Sequence, residues 1–260
     1  MAQSTPIYDD STFFKNYLDL PRQQHGLDGA PEWPILRSMV GPVQGDKVLD
    51  LGCGLGWFSR WAVDNGARHV DALDVSRNMI EKAKEMTPTG MQSTTINYQV
   101  KDLEEGLSLE AASYNVIYSS LTFHYLETTT FTRLLGLFHA ALKPGGRLVF
   151  SVEHPIYTAP TCDTFISVDL PSGQKEESIW PLNRYGYEGL RQTRWLGGHI
   201  RKHHRTLTTH VQGLLDAGFV ISGVREYMAS EEDLAKEPRW KGALERPIFL
   251  LIKADKSKSI

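Results

Sequence analysis

Val48-Leu49-Asp50-Leu51-Gly52-Cys53-Gly54-Leu55-Gly56 decides the fold of this chain. A short apolar run carries an acid, Asp50, and three glycines follow at every second position. Further on, a second acid, Asp74, closes another short apolar run. A strand that turns on glycines lets a ligand approach the backbone, because glycine lacks a Cβ and tolerates positive φ. An acid at the end of the next strand can accept hydrogen bonds from a ribose diol at the mouth of an open parallel sheet. The region predicts a nucleoside site.

The same residues argue against a dinucleotide. That fingerprint is G-x-G-x-x-G, with glycines cushioning a pyrophosphate on a helix N-terminus. Here the spacing is G-x-G-x-G, and bulky Trp57-Phe58 follow. The chain has no G-x-x-x-x-G-K-[ST] phosphate loop. Asp50 would repel a pyrophosphate and would suit an ammonium group. The ligand this describes has a ribose and a cationic amino-acid tail.

Val48 to Gly56 resembles the first motif of the class I S-adenosylmethionine-dependent methyltransferases. Asp74, in Ala72-Leu73-Asp74-Val75-Ser76, is similar to that superfamily's ribose-binding acid, and Lys101-Asp102-Leu103 to its adenine-contacting motif. Leu142-Lys143-Pro144-Gly145-Gly146-Arg147-Leu148-Val149-Phe150 resembles the turn before its fifth strand. The flanks resemble a family of stand-alone bacterial and fungal methyltransferases, through Tyr8-Asp9-Asp10, Phe13-Phe14, Glu32-Trp33-Pro34 and Val152-Glu153-His154-Pro155-Ile156. The resemblance implies S-adenosylmethionine as cofactor and S-adenosylhomocysteine as product. It implies that Asp50 and the backbone of Gly52, Cys53 and Gly54 face the methionine portion. Asp74 would hold the ribose, Val75 and Met79 would pack on adenine, and Asp102 would accept from its amino group. Leu103 would cover the ring, and the Ser119 backbone would meet the cofactor's amino group. A plain turn role for Asp102 and a plain core role for Met79 are the competing readings.

Bulk properties bound the function. Lys and Arg number 28 against 31 Asp and Glu, a net charge of -3. No global attraction to nucleic acid or to a membrane is built in. Two cysteines, Cys53 and Cys162, are too few for a disulfide scaffold. The first ten residues are polar and do not read as a secretory signal. Apolar runs fall far short of the ~20 residues that span a bilayer. A cytoplasmic enzyme is the simplest expectation.

The rest of the chain predicts an α/β fold, a Rossmann-like doubly wound sheet. Strands are expected near 47–51, 69–74, 96–100, 114–120, 147–153, 219–226 and 247–253, with helices over 56–65, 77–86, 128–142 and 206–217. The resemblance implies that the last of the seven strands runs antiparallel. All of it is read as one methyltransferase domain, residues 1–260. Residues 1–45 show helical spacing in Phe13, Phe14, Tyr17, Leu18 and Leu20. They read either as helices packed on the core or as a lid whose Tyr17 and Arg22 reach the cofactor. Residues 154–205 break the strand–helix rhythm with prolines and many aromatics, and read as a cap over an acceptor pocket. The lysine-rich tail from Lys253 is expected to fray.

Methyl transfer from a sulfonium needs an in-line nucleophile and a dry site, with no metal and no covalent intermediate. A hydroxyl acceptor gains from a base within hydrogen-bond reach. His124, after the fourth strand, and Glu153-His154, after the fifth, are the candidates on the acceptor side. The acid-free stretch Arg191 to Arg205 reads as a solvated basic face, or as a clamp for an anionic acceptor. An RNA-binding edge is disfavoured by the acidic chain. The expected function is transfer of a methyl group to oxygen or nitrogen of a small molecule. The alternative is a non-catalytic S-adenosylmethionine-binding protein, and an oxidoreductase is disfavoured by Trp57-Phe58. No nucleic acid or membrane partner is expected.

Overall fold

Val48, Leu49 and Leu51 are wholly buried on alternate faces, and Asp50 between them is nearly so. A strand buried on both sides belongs inside a parallel sheet covered by helices, which is why it reads as a nearly unbroken apolar run. The computed structural model describes residues 6–89, 95–162, 164–168, 177–236 and 238–258. Within them the strands are β1 (Lys47–Leu51), β2 (His69–Asp74), β3 (Ile96–Val100), β4 (Tyr114–Ser120), β5 (Leu142–Glu153), β6 (Ile166–Val168), β7 (Glu177–Ile179), β8 (Gly189–Trp195), β9 (Gly198–His204), β10 (Val220–Tyr227) and β11 (Phe249–Asp255). The α-helices are α1 (Ser11–Leu18), α2 (Pro21–Gln24), α3 (Trp33–Val40), α4 (Trp57–Asp64), α5 (Arg77–Met86), α6 (Thr128–Ala141), α7 (Pro155–Thr158), α8 (Leu207–Asp216) and α9 (Glu231–Lys236).

Seven strands form one sheet in the order β10-β11-β5-β4-β1-β2-β3, with β11 antiparallel to both neighbours. The chain leaves β1 toward β2 and β3, then returns to add β4 and β5 on the other side. Ligands bind at such a switch point, outside the carboxyl ends of the strands. One face carries Trp33, Phe58, Ala62, Ile80 and Tyr118, bringing in α3, α4 and α5. The other carries Phe123, Phe131, Phe138, Phe150 and Leu214, bringing in α6 and α8. Among the described residues no helix is long and apolar enough to cross a membrane.

Three expectations need correction. The fifth strand starts at Leu142, because Lys143–Gly146 bulge within it: Tyr114 pairs with Leu142, and Val116 next pairs with Arg147. The region 154–205 is more than irregular cap. It contains α7, a small β6–β7 pair and a hairpin of two seven-residue strands, β8–β9, turning at Leu196-Gly197 with both φ positive. Residues 163 and 169–176 of it lie outside the described residues. The tail does not fray at Lys253. β11 continues to Asp255, and Lys256 Nζ donates to the carbonyls of His139 and Leu142, each at 2.8 Å.

Arg205 ties the cap to the rim of the sheet. It is almost completely buried, donates to the carbonyls of Phe123 (3.0 Å) and Leu126, and lies over the Phe131 ring. Burial pulls its pKa down to about 10, so it remains a cation. These bonds pin the 3-10 turn Phe123–Tyr125. Arg205→Ala would strand two buried carbonyls and is expected to cost about 3 kcal/mol. Urea unfolding of the variant measures this, and a midpoint like that of the parent chain would show the turn needs no such anchor.

Candidate active site

A cavity of about 2760 Å³ runs along the carboxyl edge of the sheet. A drug-sized ligand fills roughly 300–1,000 Å³, so there is room for two. One end is built by the glycine turn. Gly52 has φ +68 and the turn fits tightly: a Cβ there would fall 2.0 Å from Thr122 Oγ1. Gly54 differs, because at φ +52 its missing Cβ would meet nothing within 4 Å. Gly54 lines the cavity, so that open side is where a ligand can lie against the backbone.

Carboxylates surround this end. Asp74 Oδ2 accepts from the Gly54 amide and Oδ1 from the Ser76 amide, each at 2.9 Å. Burial pushes its carboxyl up to about 6 against those bonds, with Asp9 adding repulsion. Asp50 accepts from the Ser59 hydroxyl at 2.6 Å. Burial lifts it to about 7, and the charge on Asp74 also raises it. Each carboxylate oxygen has spare lone pairs. Two acids without a salt-bridge partner among the described residues, with Arg60 only a minor opposing charge on Asp50, fit a ligand that brings positive charge and hydroxyls, and they repel a pyrophosphate. Gly52 and Cys53 complete the wall, and burial raises the Cys53 thiol, which argues against a nucleophile.

The other cofactor candidates are placed unevenly. Val75, Met79, Asp102 and Leu103 line the same end. Asp102 Oδ1 accepts from the Glu104 amide at 2.8 Å, so it makes its turn and faces the cavity together. Ser119 is different. It is fully buried, its hydroxyl donates to Leu51 O at 2.9 Å, and its neighbours Tyr118 and Ser120 form the wall instead.

The N-terminal segment closes over these acids. Asp9 Oδ1 accepts from Ser76 Oγ at 2.6 Å and from the Asn78 amide at 3.1 Å. Tyr8 reaches across to Tyr125, hydroxyl to hydroxyl, at 3.0 Å. Tyr17 lines the cavity, and burial pushes its phenol up to about 12. Arg22 also lines it, with Nη2 2.7 Å from Glu32 Oε1. Burial works against the Arg22 charge, but Glu32 outweighs it and leaves the pKa raised. Glu32 itself is fully buried, and neither of its oxygens has a well-directed hydrogen bond. Its part in the site escapes sequence reading, because an acid beside the start of a helix is ordinarily solvated. Only its burial against Arg22 reveals it.

Two strands away from Asp50, β5 delivers Glu153 to the cavity. Lys202 of β9, itself buried, places Nζ 2.5 Å from Glu153 Oε1. Burial alone would raise the Glu153 pKa, but Lys202 and then His124 outweigh it and hold the carboxyl below its usual value. Its Oε2 is shielded and has no hydrogen-bond partner. His124 lines the cavity, and burial drives its pKa down to about 4. Its Nδ1 accepts from the Glu153 amide at 3.4 Å. The neutral ring therefore carries its proton on Nε2 and offers a donor.

His154, expected beside them, is turned away. Strand alternation sends Glu153 and His154 to opposite sides. His154 Nδ1 caps α7 by accepting from the Ile156 amide at 3.1 Å, and Nε2 meets Glu226 Oε1 at 2.9 Å. It is structural. The basic stretch divides its roles. Arg191 donates to the carbonyls of Tyr187 and Ala159, Lys202 holds Glu153, and Arg205 is a core anchor. Arg194 and Arg201 lie on the more exposed side of the β8–β9 hairpin, and both line the cavity. Among the described residues no cluster of His, Cys, Asp and Glu could hold a metal.

Comparison with known proteins agrees with this geometry. A family model described as a methyltransferase domain matches residues 48–146. An uncharacterized protein of Haemophilus influenzae is 33% identical over 261 residues, covering 98% of this chain and 99% of its own length. The crystal structure of an S-adenosylmethionine dependent methyltransferase from Mesorhizobium loti is 42% identical, with a TM-score of 0.77 over 88% of this chain and 100% of that one. A malonyl-[acyl-carrier protein] O-methyltransferase of Erwinia billingiae is 31% identical over 143 residues, 55% of this chain and 49% of that protein. The glycine turn, its flanking acids and the β3-β2-β1-β4-β5-β11-β10 sheet thus have one source: the chain belongs to the class I S-adenosylmethionine-dependent methyltransferases and is an enzyme that uses S-adenosylmethionine.

Proposed function

We propose that the enzyme methylates an oxygen or nitrogen of a small molecule held beneath the cap, and that Glu153 takes up the proton the acceptor gives off. The observation that carries this reading is the shielded, unpartnered Glu153 Oε2, fixed by Lys202 at the acceptor end of the cavity. When bound, S-adenosylmethionine supplies a methyl group already activated on a sulfonium. Asp74 would hold its ribose hydroxyls, and Asp50 and the backbone at Gly52 to Gly54 its amino-acid end. Arg22, aimed by Glu32, would face its carboxylate.

The chain's own part is then positional and electrostatic. Lys202 compensates the Glu153 charge and fixes the direction of Oε2. The O–H or N–H of the acceptor would donate to the Glu153 carboxylate, turning to present Oε2, and its proton would pass there as the new bond to carbon forms and the carbon–sulfur bond breaks. His124 Nε2–H orients a second acceptor atom. Tyr8, Tyr17 and Trp195 stack edge to face between lid and hairpin and keep water out. The low pKa of Glu153 makes it a modest base, which suffices because methylation itself acidifies the acceptor.

Two expectations test this reading. Asp74→Ala should weaken S-adenosylmethionine binding by at least ~1 kcal/mol. In the parent enzyme affinity should fall as pH drops from about 7 to about 6, where Asp50 and Asp74 take up protons. The sign follows from the raised pKa values: the ionised acids attract the cationic ligand, and protonation removes that attraction. The loss is roughly tenfold per pH unit for each acid that must ionise. Calorimetry across that range would show a flat affinity if the acids played no part.

Glu153→Gln keeps the shape of the side chain and removes the base. Turnover should fall by about 100-fold with cofactor affinity nearly unchanged. Equal losses in both would make Glu153 a structural residue.

A further inference from the structure

The sequence offers two readings of the 191–205 stretch, a solvated basic face or an anion clamp, and Arg194 and Arg201 of it, which line the cavity, are exposed. A more buried guanidinium, with no carboxylate partner among the described residues, lies elsewhere on the same cavity. Arg246, in the segment leading into β11, sits with its guanidinium carbon 3.6 Å from the Trp180 ring centroid, 4.8 Å from that of Tyr157 and 5.4 Å from that of Phe165. Its Nε and Nη1 are sealed from solvent and donate to no other group, and no carboxylate among the described residues pairs with it. Burial lowers its pKa, with Tyr157 opposing the shift.

The rings are themselves fixed. Trp180 Nε1 donates to Ile156 O at 3.1 Å, and Trp180 stacks on Tyr157 at an interplanar angle of 8°. Phe165 packs so close to Gly242 that a Cβ there would fall 2.3 Å from its ring. His154 caps the short helix that carries Tyr157. Cation–π contact with three rings offsets part of the cost of drying a guanidinium, and leaves its hydrogen-bonding capacity unspent. Nη2 is not among the sealed atoms.

We propose that Arg246 is an anion-binding subsite for the acceptor, taking a carboxylate or phosphate head group. This rests on the small-molecule reading above and narrows it. Position sets the scale of the acceptor. Arg246 is three residues before Phe249, and Phe249 pairs with Glu153 across β11 and β5. Three residues span at most roughly 11 Å. An anion on Arg246 therefore places the rest of a small organic acid toward Glu153, along walls that include Ile248 and Phe249.

The test uses the full chain loaded with S-adenosylhomocysteine. Phenylacetate, phenyl phosphate and neutral phenylacetamide are titrated separately, read by Trp fluorescence and by calorimetry. At least one of the two anions should bind and the amide should bind roughly tenfold more weakly or not at all. Whichever anion binds tighter identifies the head group as carboxylate or phosphate. Arg246→Gln should lose roughly tenfold of that anion affinity, with S-adenosylhomocysteine affinity retained as the sign of an intact fold. Arg246→Lys keeps the charge but loses the planar fork and should fall between the two, and it serves alone if the glutamine variant does not fold. Anion binding unchanged in the variants, equal binding of the amide, or no anion binding to the parent chain would each overturn the proposal. Failure of S-adenosylhomocysteine to bind the parent chain would instead strike the reading beneath it.

Discussion

Asp50 and Asp74 stand near the ends of neighbouring strands, Asp50 buried and Asp74 half-buried, and burial resists the ionisation of each. A fold that places two acids in this position stores unfavourable electrostatics at one spot. The spot is meaningful only if something positively charged arrives there. The glycine turn, the parallel strands and the helices on both faces all serve to hold it open. Gly52 brings the chain tightly round against Thr122, and Gly54 leaves the space a ligand needs. The lid supplies Tyr8, Asp9 and Tyr17 above it.

Charge changes character along the rim. On the cavity side of β1 and β2, Asp50 and Asp74 have no salt-bridge partner among the described residues. At β5 the Glu153 charge is balanced by Lys202, with one oxygen left over. Beyond it Arg246 has no acid against it among the described residues and is cradled by aromatic rings. In the proposed arrangement a positively charged donor at one end and an acceptor at the other follow that gradient. The cap matters because it brings Lys202, Trp180 and Tyr157 to the sheet, and Arg205 keeps it there.

The central sheet was legible because its strands are buried on both faces, so that Val48 to Leu51 and Tyr114 to Ser120 stand out as apolar runs. The cofactor end was legible because glycines and acids at fixed spacing leave few alternatives. The acceptor end was not. The β8–β9 hairpin has polar residues on both faces, so Gly189 to His204 shows no apolar alternation. Glu153 and His154 are adjacent letters, and only the pleat separates a cavity wall from a helix cap. Glu32 reads as a solvated acid at a helix start, and Arg246 as one more surface cation. Their roles depend on burial contributed by segments far away in the chain.

The N-terminal clasp has a consequence for traffic. In the proposed binding mode a donor on the Asp74 rim lies near the segment Ile7–Asp9, which is fastened to the start of α5 by a pair of bonds to Asp9 and one weaker bond from Asn78 Nδ2 to Tyr8 O. Bonds of this kind are each worth about 1 kcal/mol net, so the gate is cheap to open and swift to reclose. On that reading, exit of the used nucleoside would require only a detachable strap to move and no rearrangement of the sheet.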